Sequence, residues 1–359
     1  MEKRTHFLFL VLLLLLTAII FTAVLAKKGR NGHHHHHHHH PGSVKLFVFG
    51  DSYADTGNWG KSAASWNEPY GLTYPGKPAG RFSDGRVLTD FLASHLGMKS
   101  PIPFEMRKSE NGSNLQHGMN FAYGGTGVFN TMANEPNMTV QINNFQQQLE
   151  ENVFTKHDLN SSIALLSLAG NDYLTYIMKN DINNVQGLQD LTKNIIQQLL
   201  INMKRLQAVG IKKIAVTTVE PMGCLPNAAV VSSYQNCSEI FNAAAKYHNE
   251  ALVNEVQKLN NENKDSVIFL LDLYAAFMST LTKNGKLSGN SEMKTLLQPC
   301  CVGLEQKYFC GSIDDSGAKK YSVCKHPELS FFWDNIHPSE NGWKAIYYAL
   351  RSTLDEKIR

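Results

Sequence analysis

Lys45-Leu-Phe-Val-Phe-Gly-Asp-Ser-Tyr-Ala-Asp-Thr-Gly-Asn58 is the stretch from which the rest of the chain can be read. From Val44 to Phe49 every residue but Lys45 is apolar, and the run stops at Gly50-Asp51. A short apolar run closed by a turn signal predicts a buried strand of a parallel sheet. Ser52 then stands just past the strand's C-terminal end, the edge at which open α/β sheets bind ligands. A serine on a strand-to-helix turn exposes its hydroxyl beside unpaired backbone N–H groups, so Ser52 is a candidate nucleophile. Gly-Asp-Ser is also ordinary turn chemistry, and the assignment needs partners elsewhere.

Those partners stand near the C-terminus, in Phe331-Phe-Trp-Asp334-Asn-Ile-His337-Pro-Ser-Glu-Asn-Gly-Trp343. Pro338 keeps this segment out of a helix interior. A serine needs a base to remove its proton, and a histidine needs a carboxylate to fix its ring and tautomer. His337 and Asp334 supply both from one short loop. Apart from His6 and the histidine run, His95, His117, His157, His248 and His326 are the other candidate bases.

Outward from these blocks the chain shows an alternating pattern. Short apolar runs at Gly118 to Ala122, Ser162 to Leu168, Lys213 to Val219 and Val267 to Leu271 each end in a turn signal: Gly124-Gly125, Gly170-Asn171, Glu220-Pro221 and Asp272. Helical periodicity covers Val87 to Leu96, Gly187 to Val209, Ile240 to Asn261 and Glu340 to Leu354. Strands alternating with helices predict an α/β fold with a mostly parallel sheet covered on both faces, its strand-end turns gathered along one edge with Ser52.

Attack on an acyl carbon moves negative charge onto the carbonyl oxygen, so the site needs donors already aimed there. Gly124-Gly125-Thr-Gly127 offers unobstructed backbone N–H groups and Asn171 offers an amide. Taken singly, each is a turn closing a parallel strand. As strand-end neighbours of Ser52, Asp334 and His337 they are read as oxyanion donors.

The N-terminus reads separately. Lys3 and Arg4 precede an apolar run from Phe7 to Ala26 that ends in small residues, which describes a secretory signal peptide over 1–26. An uncleaved anchor is the alternative, since about 20 apolar residues span a bilayer. Residues 27–43 hold eight consecutive histidines, His33 to His40, a natural spacer or a tag with no part in the fold. Residues 44–359 read as a single domain, without linker or repeat, near the largest size one core reaches. The formal net charge of +3 gives no basic face for nucleic acid.

Taken as a set, Gly-Asp-Ser-Tyr-x-Asp-x-Gly-Asn, Asn120-Phe-Ala-Tyr-Gly-Gly-Thr-Gly127, Ala169-Gly-Asn-Asp172 and Asp334-x-x-His337-Pro resemble, in order and spacing, the blocks of the plant secreted GDSL esterases/lipases, within the SGNH hydrolases. The resemblance runs from about Val44 to Leu354. It implies a three-layer, flavodoxin-like α/β/α sandwich and hydrolysis of carboxylic esters through an acyl-enzyme. It also implies Ser52 as nucleophile, His337 as general base, Asp334 as third triad member, and Ser52, Gly125 and Asn171 as the oxyanion hole. Tyr53 replaces the leucine of the family motif, a change expected to alter packing beneath the turn more than chemistry. The α/β-hydrolase elbow fits worse, because Ala54 fills the place of its last glycine.

On this reading no metal or organic cofactor is needed, and activity falls as pH drops through histidine's ordinary range, about 6 to 7. The partner is an ester, whether acyl lipid, acylated small molecule or acylated polysaccharide. No membrane span remains after signal cleavage, and the oligomeric state is left open. Cys224, Cys237, Cys300, Cys301, Cys310 and Cys324 are even in number and suggest disulfides in an extracellular protein. Cys224–Cys237 is a plausible local loop, leaving Cys300 and Cys301 for Cys310 and Cys324. Asn111, Asn137, Asn160 and Asn236 head glycosylation sequons. Trp333, Phe331 and Phe332 are read as core, and Arg81, Asp84 and Arg86 as caps and solvation for the helix near Val87. Two rival functions stand beside hydrolysis: acyl transfer by the same acyl-enzyme, and a silent module binding glycan or a partner.

Overall fold

A computed structural model describes residues 44–108, 112–180, 184–282 and 295–358. The expected signal peptide, the histidine run and Asn111 lie outside the described residues. Strand β1 (Leu46–Gly50) is buried along its length. Phe47 and Phe49 enter one hydrophobic core while Leu46 and Val48 enter another. A strand apolar on both faces has to be covered on both, and this alternation sets the three layers.

Five further strands complete the sheet: β2 (Ile102–Pro103), β3 (Gly118–Asn120), β4 (Ile163–Ser167), β5 (Lys213–Thr217) and β6 (Val267–Leu271). Their order is β2-β3-β1-β4-β5-β6, and every pairing is parallel. The side of the sheet on which successive strands are added changes at β1. A crevice opens at such a switch point, outside the carboxyl ends of the strands. Helices α1 (Leu88–His95), α8 (Leu273–Thr282) and α9 (Glu340–Ile358) cover one face through Leu92, Phe277, Trp343 and Ile346. Helices α2 (Met138–Glu150), α5 (Val185–Val209) and α7 (Glu239–Glu262) cover the other through Phe145, Ile195, Leu199 and Leu252. The short helices α3 (Lys156–Asn160), α4 (Gly170–Lys179) and α6 (Pro226–Ala229) lie in the connections. Among the described residues no helix is long and apolar enough to cross a membrane.

The expected elements lie within a few residues of the observed ones. β3 ends at Asn120, short of the expected Ala122, where the Asn120 side chain accepts from the Ala122 N–H (2.9 Å), although the Phe121 and Tyr123 N–H groups still donate to Val48 O (2.7 Å) and Gly50 O (3.0 Å) of β1. Asn58 Nδ2 then donates to the carbonyls of both Asn120 and Ala122, each at 2.8 Å. Periodicity did not announce the segment before the C-terminal loop. There β7 (Thr295–Pro299) pairs in parallel with β10 (Ser330–Phe332), and β8 (Cys301–Gly303) pairs antiparallel with β9 (Tyr321–Val323). Disulfides Cys300–Cys324 and Cys301–Cys310 staple it, and Cys224–Cys237 closes the local loop. Tyr70 and Trp333 pack in the same small core as Cys300, Cys301 and Cys310.

The basic and acidic residues around Gly85 hold more than the start of α1. Arg81 makes a paired 2.8 Å contact to the buried Asp90 carboxylate. Asp84 is buried and accepts from the Glu340 N–H (2.7 Å) at the head of α9, while Arg86 pairs with the Glu340 carboxylate (2.7 Å). The turn therefore bolts α9 beside the start of α1, close to the loop that carries His337.

Candidate active site

Ser52 follows β1 directly, and the backbone beneath it is fixed from several sides. Gly50 N–H donates to Gln141 Oε1 (2.8 Å), and Gly50 O accepts from Gln141 Nε2 (2.9 Å) and the Tyr123 N–H (3.0 Å). A Cβ on Gly50 would meet the Ser167 carbonyl oxygen at 2.6 Å, so the motif's glycine lets β1 and β4 close up. Asp51 Oδ1 accepts from the Tyr53 N–H (3.0 Å), and the Ala54 and Asp55 N–H groups donate to Asp51 O. Ser52 is thereby held at the end of its strand with its own N–H unpaired among the described residues.

The C-terminal loop comes to meet it. His337 Nε2 lies 2.8 Å from Ser52 Oγ, and His337 Nδ1 lies 2.8 Å from both oxygens of Asp334. Asp334 Oδ1 also accepts the N–H groups of Ile336 (2.9 Å) and His337 (2.8 Å), and Oδ2 accepts Tyr70 OH (2.7 Å). Burial alone would raise the Asp334 pKa, but the adjacent His337 and these donors hold it below the usual carboxylate value. The other described histidines sit elsewhere; His248, for one, is buried against Tyr173, with burial pushing its pKa down to about 3.

The two strand-end turns also converge. Asp55 is buried and accepts from the N–H groups of Gly57 (2.8 Å), Asn58 (2.7 Å), Trp59 (3.1 Å) and Gly124 (2.9 Å), binding the Gly124-Gly125 turn to the Ser52 loop. Desolvation still pushes the Asp55 pKa up to about 6. Gly124 thus spends its N–H, whereas Gly125, at φ +72°, leaves its own unpaired among the described residues. Asn171 Nδ2 donates to Thr126 O (2.9 Å), which orients the amide and leaves its second hydrogen for a ligand.

A pocket of about 170 Å³ opens over Ser52 and Asn171. Its walls are apolar at Leu174, Ile177, Met222, Leu225 and Phe241, with Asp51 and Glu220 among the polar lining. Among the described residues no cluster of His, Cys, Asp or Glu is placed to hold a metal ion. Of the sequons, Asn160 and Asn236 are exposed. Asn137 is half-buried and caps α2 through the Val140 N–H (3.1 Å). Asn236 precedes the bridged Cys237.

Reading the sequence missed several residues that set this geometry. Tyr70, Gln141 and Asp55 position the site without signalling it locally. Tyr53, expected to matter for packing, reaches the His337 loop itself: its OH donates to Ile336 O (3.0 Å) and its ring meets His337 edge-on at 6.0 Å. Phe82 lies against the other side of the imidazole, with ring centroids 5.1 Å apart.

Comparison with known proteins follows the same lines. A family model described as GDSL-like lipase/acylhydrolase matches residues 46–350. A GDSL esterase/lipase of Arabidopsis thaliana is 49% identical over 317 residues, covering 88% of this chain and 88% of that protein. A second from the same plant is 46% identical over 314 residues, covering 86% and 88%. Acetylajmalan esterase 2 of Rauvolfia serpentina is 28% identical over 338 residues, covering 87% and 90%.

Proposed function

The chain belongs to the GDSL-like lipase/acylhydrolase family and is a carboxylic ester hydrolase, and on that premise we propose that it works through a Ser52–His337–Asp334 triad and an acyl-enzyme. The observation that supports this reading is the unbroken run of contacts from Ser52 Oγ through the imidazole to a buried carboxylate.

In the proposed reaction neutral His337 takes the Ser52 proton at Nε2 as Oγ attacks the ester carbonyl carbon. Asp334, at Nδ1, fixes the tautomer and stabilises the imidazolium that forms. Charge collects on the carbonyl oxygen, which the unpaired N–H groups of Ser52 and Gly125 and the Asn171 amide receive. His337 returns the proton to the departing alcohol. Water then enters and gives a proton to His337 as its oxygen attacks the acyl carbon; the bond to Ser52 Oγ breaks, His337 returns the proton to Oγ, and the acid leaves. The apolar walls of the pocket suit a hydrocarbon portion of the substrate. Three disulfides support an oxidising, extracellular setting, and among the described sequons Asn160 is the exposed one free of a disulfide, since Asn236 precedes the bridged Cys237.

Labelling with a fluorophosphonate, read by intact mass, tests the nucleophile without a guess at the substrate. One adduct on the native protein is expected, and none on Ser52→Ala. A folded native protein that takes no adduct would overturn the proposal.

A further inference from the structure

Glu220 is a buried acidic residue of the pocket to which the proposed reaction gives no task. It follows β5, at the same sheet edge as Ser52 and Asn171, and lines the pocket with them. The residue is 8% exposed, yet apart from its own backbone N–H no described residue donates to its carboxylate. Its carboxylate lies flush against the Gly170 backbone, where an added Cβ would come within 2.9 Å of Oε1, one residue before Asn171. Gly170, lacking a side chain, leaves room for it there. A carboxylate has about four acceptor sites, so with only its own N–H donating, Glu220 keeps acceptor capacity on the pocket side for a ligand.

The neighbouring carboxylates show the contrast. Asp51 and Asp172 are buried at the same edge, but each is occupied by backbone donors: Tyr53 N–H for Asp51, Val128 and Phe129 N–H for Asp172. Asp51 shares the pocket lining but is tied to its own turn through Tyr53 N–H, whereas no other described residue donates to Glu220.

We infer that Glu220 is a substrate-recognition residue, accepting a hydrogen bond from a hydroxyl group carried by the part of the ester seated in this pocket. The substrate class that follows is a hydroxylated ester, a partial ester of a polyol or a hydroxy-acid ester, in preference to its plain hydrocarbon analogue. A hydroxyl suits the site better than a cation, because the surrounding walls are apolar and burying a second charge costs more than burying a neutral donor. This deepens the proposed function and rests on its placement of the ester in the pocket. It needs no chemical step of its own.

The test measures binding, so that it stands apart from the nucleophile assignment. Dissociation constants for ethyl butanoate, 2-hydroxyethyl butanoate and ethyl 3-hydroxybutanoate are measured by NMR titration on full-length Ser52→Ala protein, then with Glu220→Leu or Glu220→Gln added. At least one hydroxylated ester is expected to bind about tenfold tighter than its parent, in line with one hydrogen bond to a buried carboxyl group. Glu220→Leu is expected to erase that ratio while binding ethyl butanoate no more weakly, which general damage to the pocket would not do. Glu220→Gln, which keeps an acceptor oxygen, is expected to retain part of the preference. No hydroxyl preference on Ser52→Ala, or the same ratio in the Glu220→Leu protein, would overturn the inference. A failure of the triad reading shows instead as a missing fluorophosphonate adduct on the native protein.

Discussion

Two of the buried carboxylates at this site, Asp334 and Glu220, are treated in opposite ways. Asp334 is surrounded by donors: the His337 ring, the Ile336 and His337 N–H groups and Tyr70 OH, and its pKa is held down. Glu220 has only its own N–H, and burial pushes its pKa up to about 7, the His337 charge opposing this weakly. The difference shows how one fold separates the work of reacting from the work of choosing. A group that must hold an imidazole through a reaction is fixed from every side. A group that must recognise a ligand is left incomplete until the ligand arrives.

The comparison breaks most visibly at Asp334. Asp334→Asn keeps the shape but offers an NH₂ where the loop presents donors, and it favours the wrong histidine tautomer. A fall in kcat on a simple ester of about 10⁴ is expected, with near-UV circular dichroism unchanged. A loss below about tenfold would mean that the carboxylate does not orient the base.

Glu220 carries the next effect, and it is one of stability. Its folded-state pKa, about 7, lies above its ordinary value of 4.5, so the folded protein holds this proton more tightly than the unfolded chain. Stability from this group is therefore fully present below about 4.5 and lost as pH rises through about 7. Glu220→Gln has no such proton to lose. Urea unfolding is expected to find Glu220→Gln more stable than the native protein by about 3 kcal/mol at pH 8, with a gap near zero at pH 4.5. Asp55 and Asp172, whose pKa values burial also raises, are common to both proteins and cancel in the difference, whereas Asp51, raised by burial and in part by the Glu220 charge, is relieved in Glu220→Gln and adds to the gap in the same direction. Equal stability at both pH values would place Glu220 on the same footing as a solvated carboxylate.

The same contrast explains how far the sequence could be read. The strands around β1 are continuous apolar runs and four of the covering helices carry clear periodicity, so the parallel sheet between two helical layers was legible, while α2 and α8, one in each layer, were not read. That Ser52, Asp334 and His337 meet was legible too, because a serine, a histidine and a carboxylate at strand-end and loop positions make a chemically complete set. The segment from Thr295 to Val323 was not, since strands of a few residues stapled by disulfides have no periodic signal. The positioning side chains were hidden for another reason. Tyr70 meets Asp334 across 264 residues and Gln141 meets Gly50 across 91, and nothing local in the sequence marks a tyrosine or glutamine for such a contact. Glu220-Pro221 read as a turn, and only burial without a partner distinguishes it.

Tyr70 and Tyr53 allow the finest test, because both donate to the same short loop but to acceptors of different charge. Tyr70 OH binds the Asp334 carboxylate at 2.7 Å, whereas Tyr53 OH binds the neutral Ile336 carbonyl at 3.0 Å. A hydrogen bond to an ionised acceptor is worth roughly twice one to a neutral acceptor. Tyr70→Phe also leaves an oxygen of a buried carboxylate less satisfied, which favours the protonated form that cannot support an imidazolium. Its kcat is expected to fall about tenfold, against about twofold to threefold for Tyr53→Phe, with KM for a simple ester little changed in either. The two rings keep their packing against Trp333 and Trp343 respectively, so each change isolates its hydroxyl. Equal losses would mean that the loop is held by packing and the donors merely accompany it. A larger loss at Tyr70 would assign the difference to the charge on Asp334, the property that separates it from Glu220.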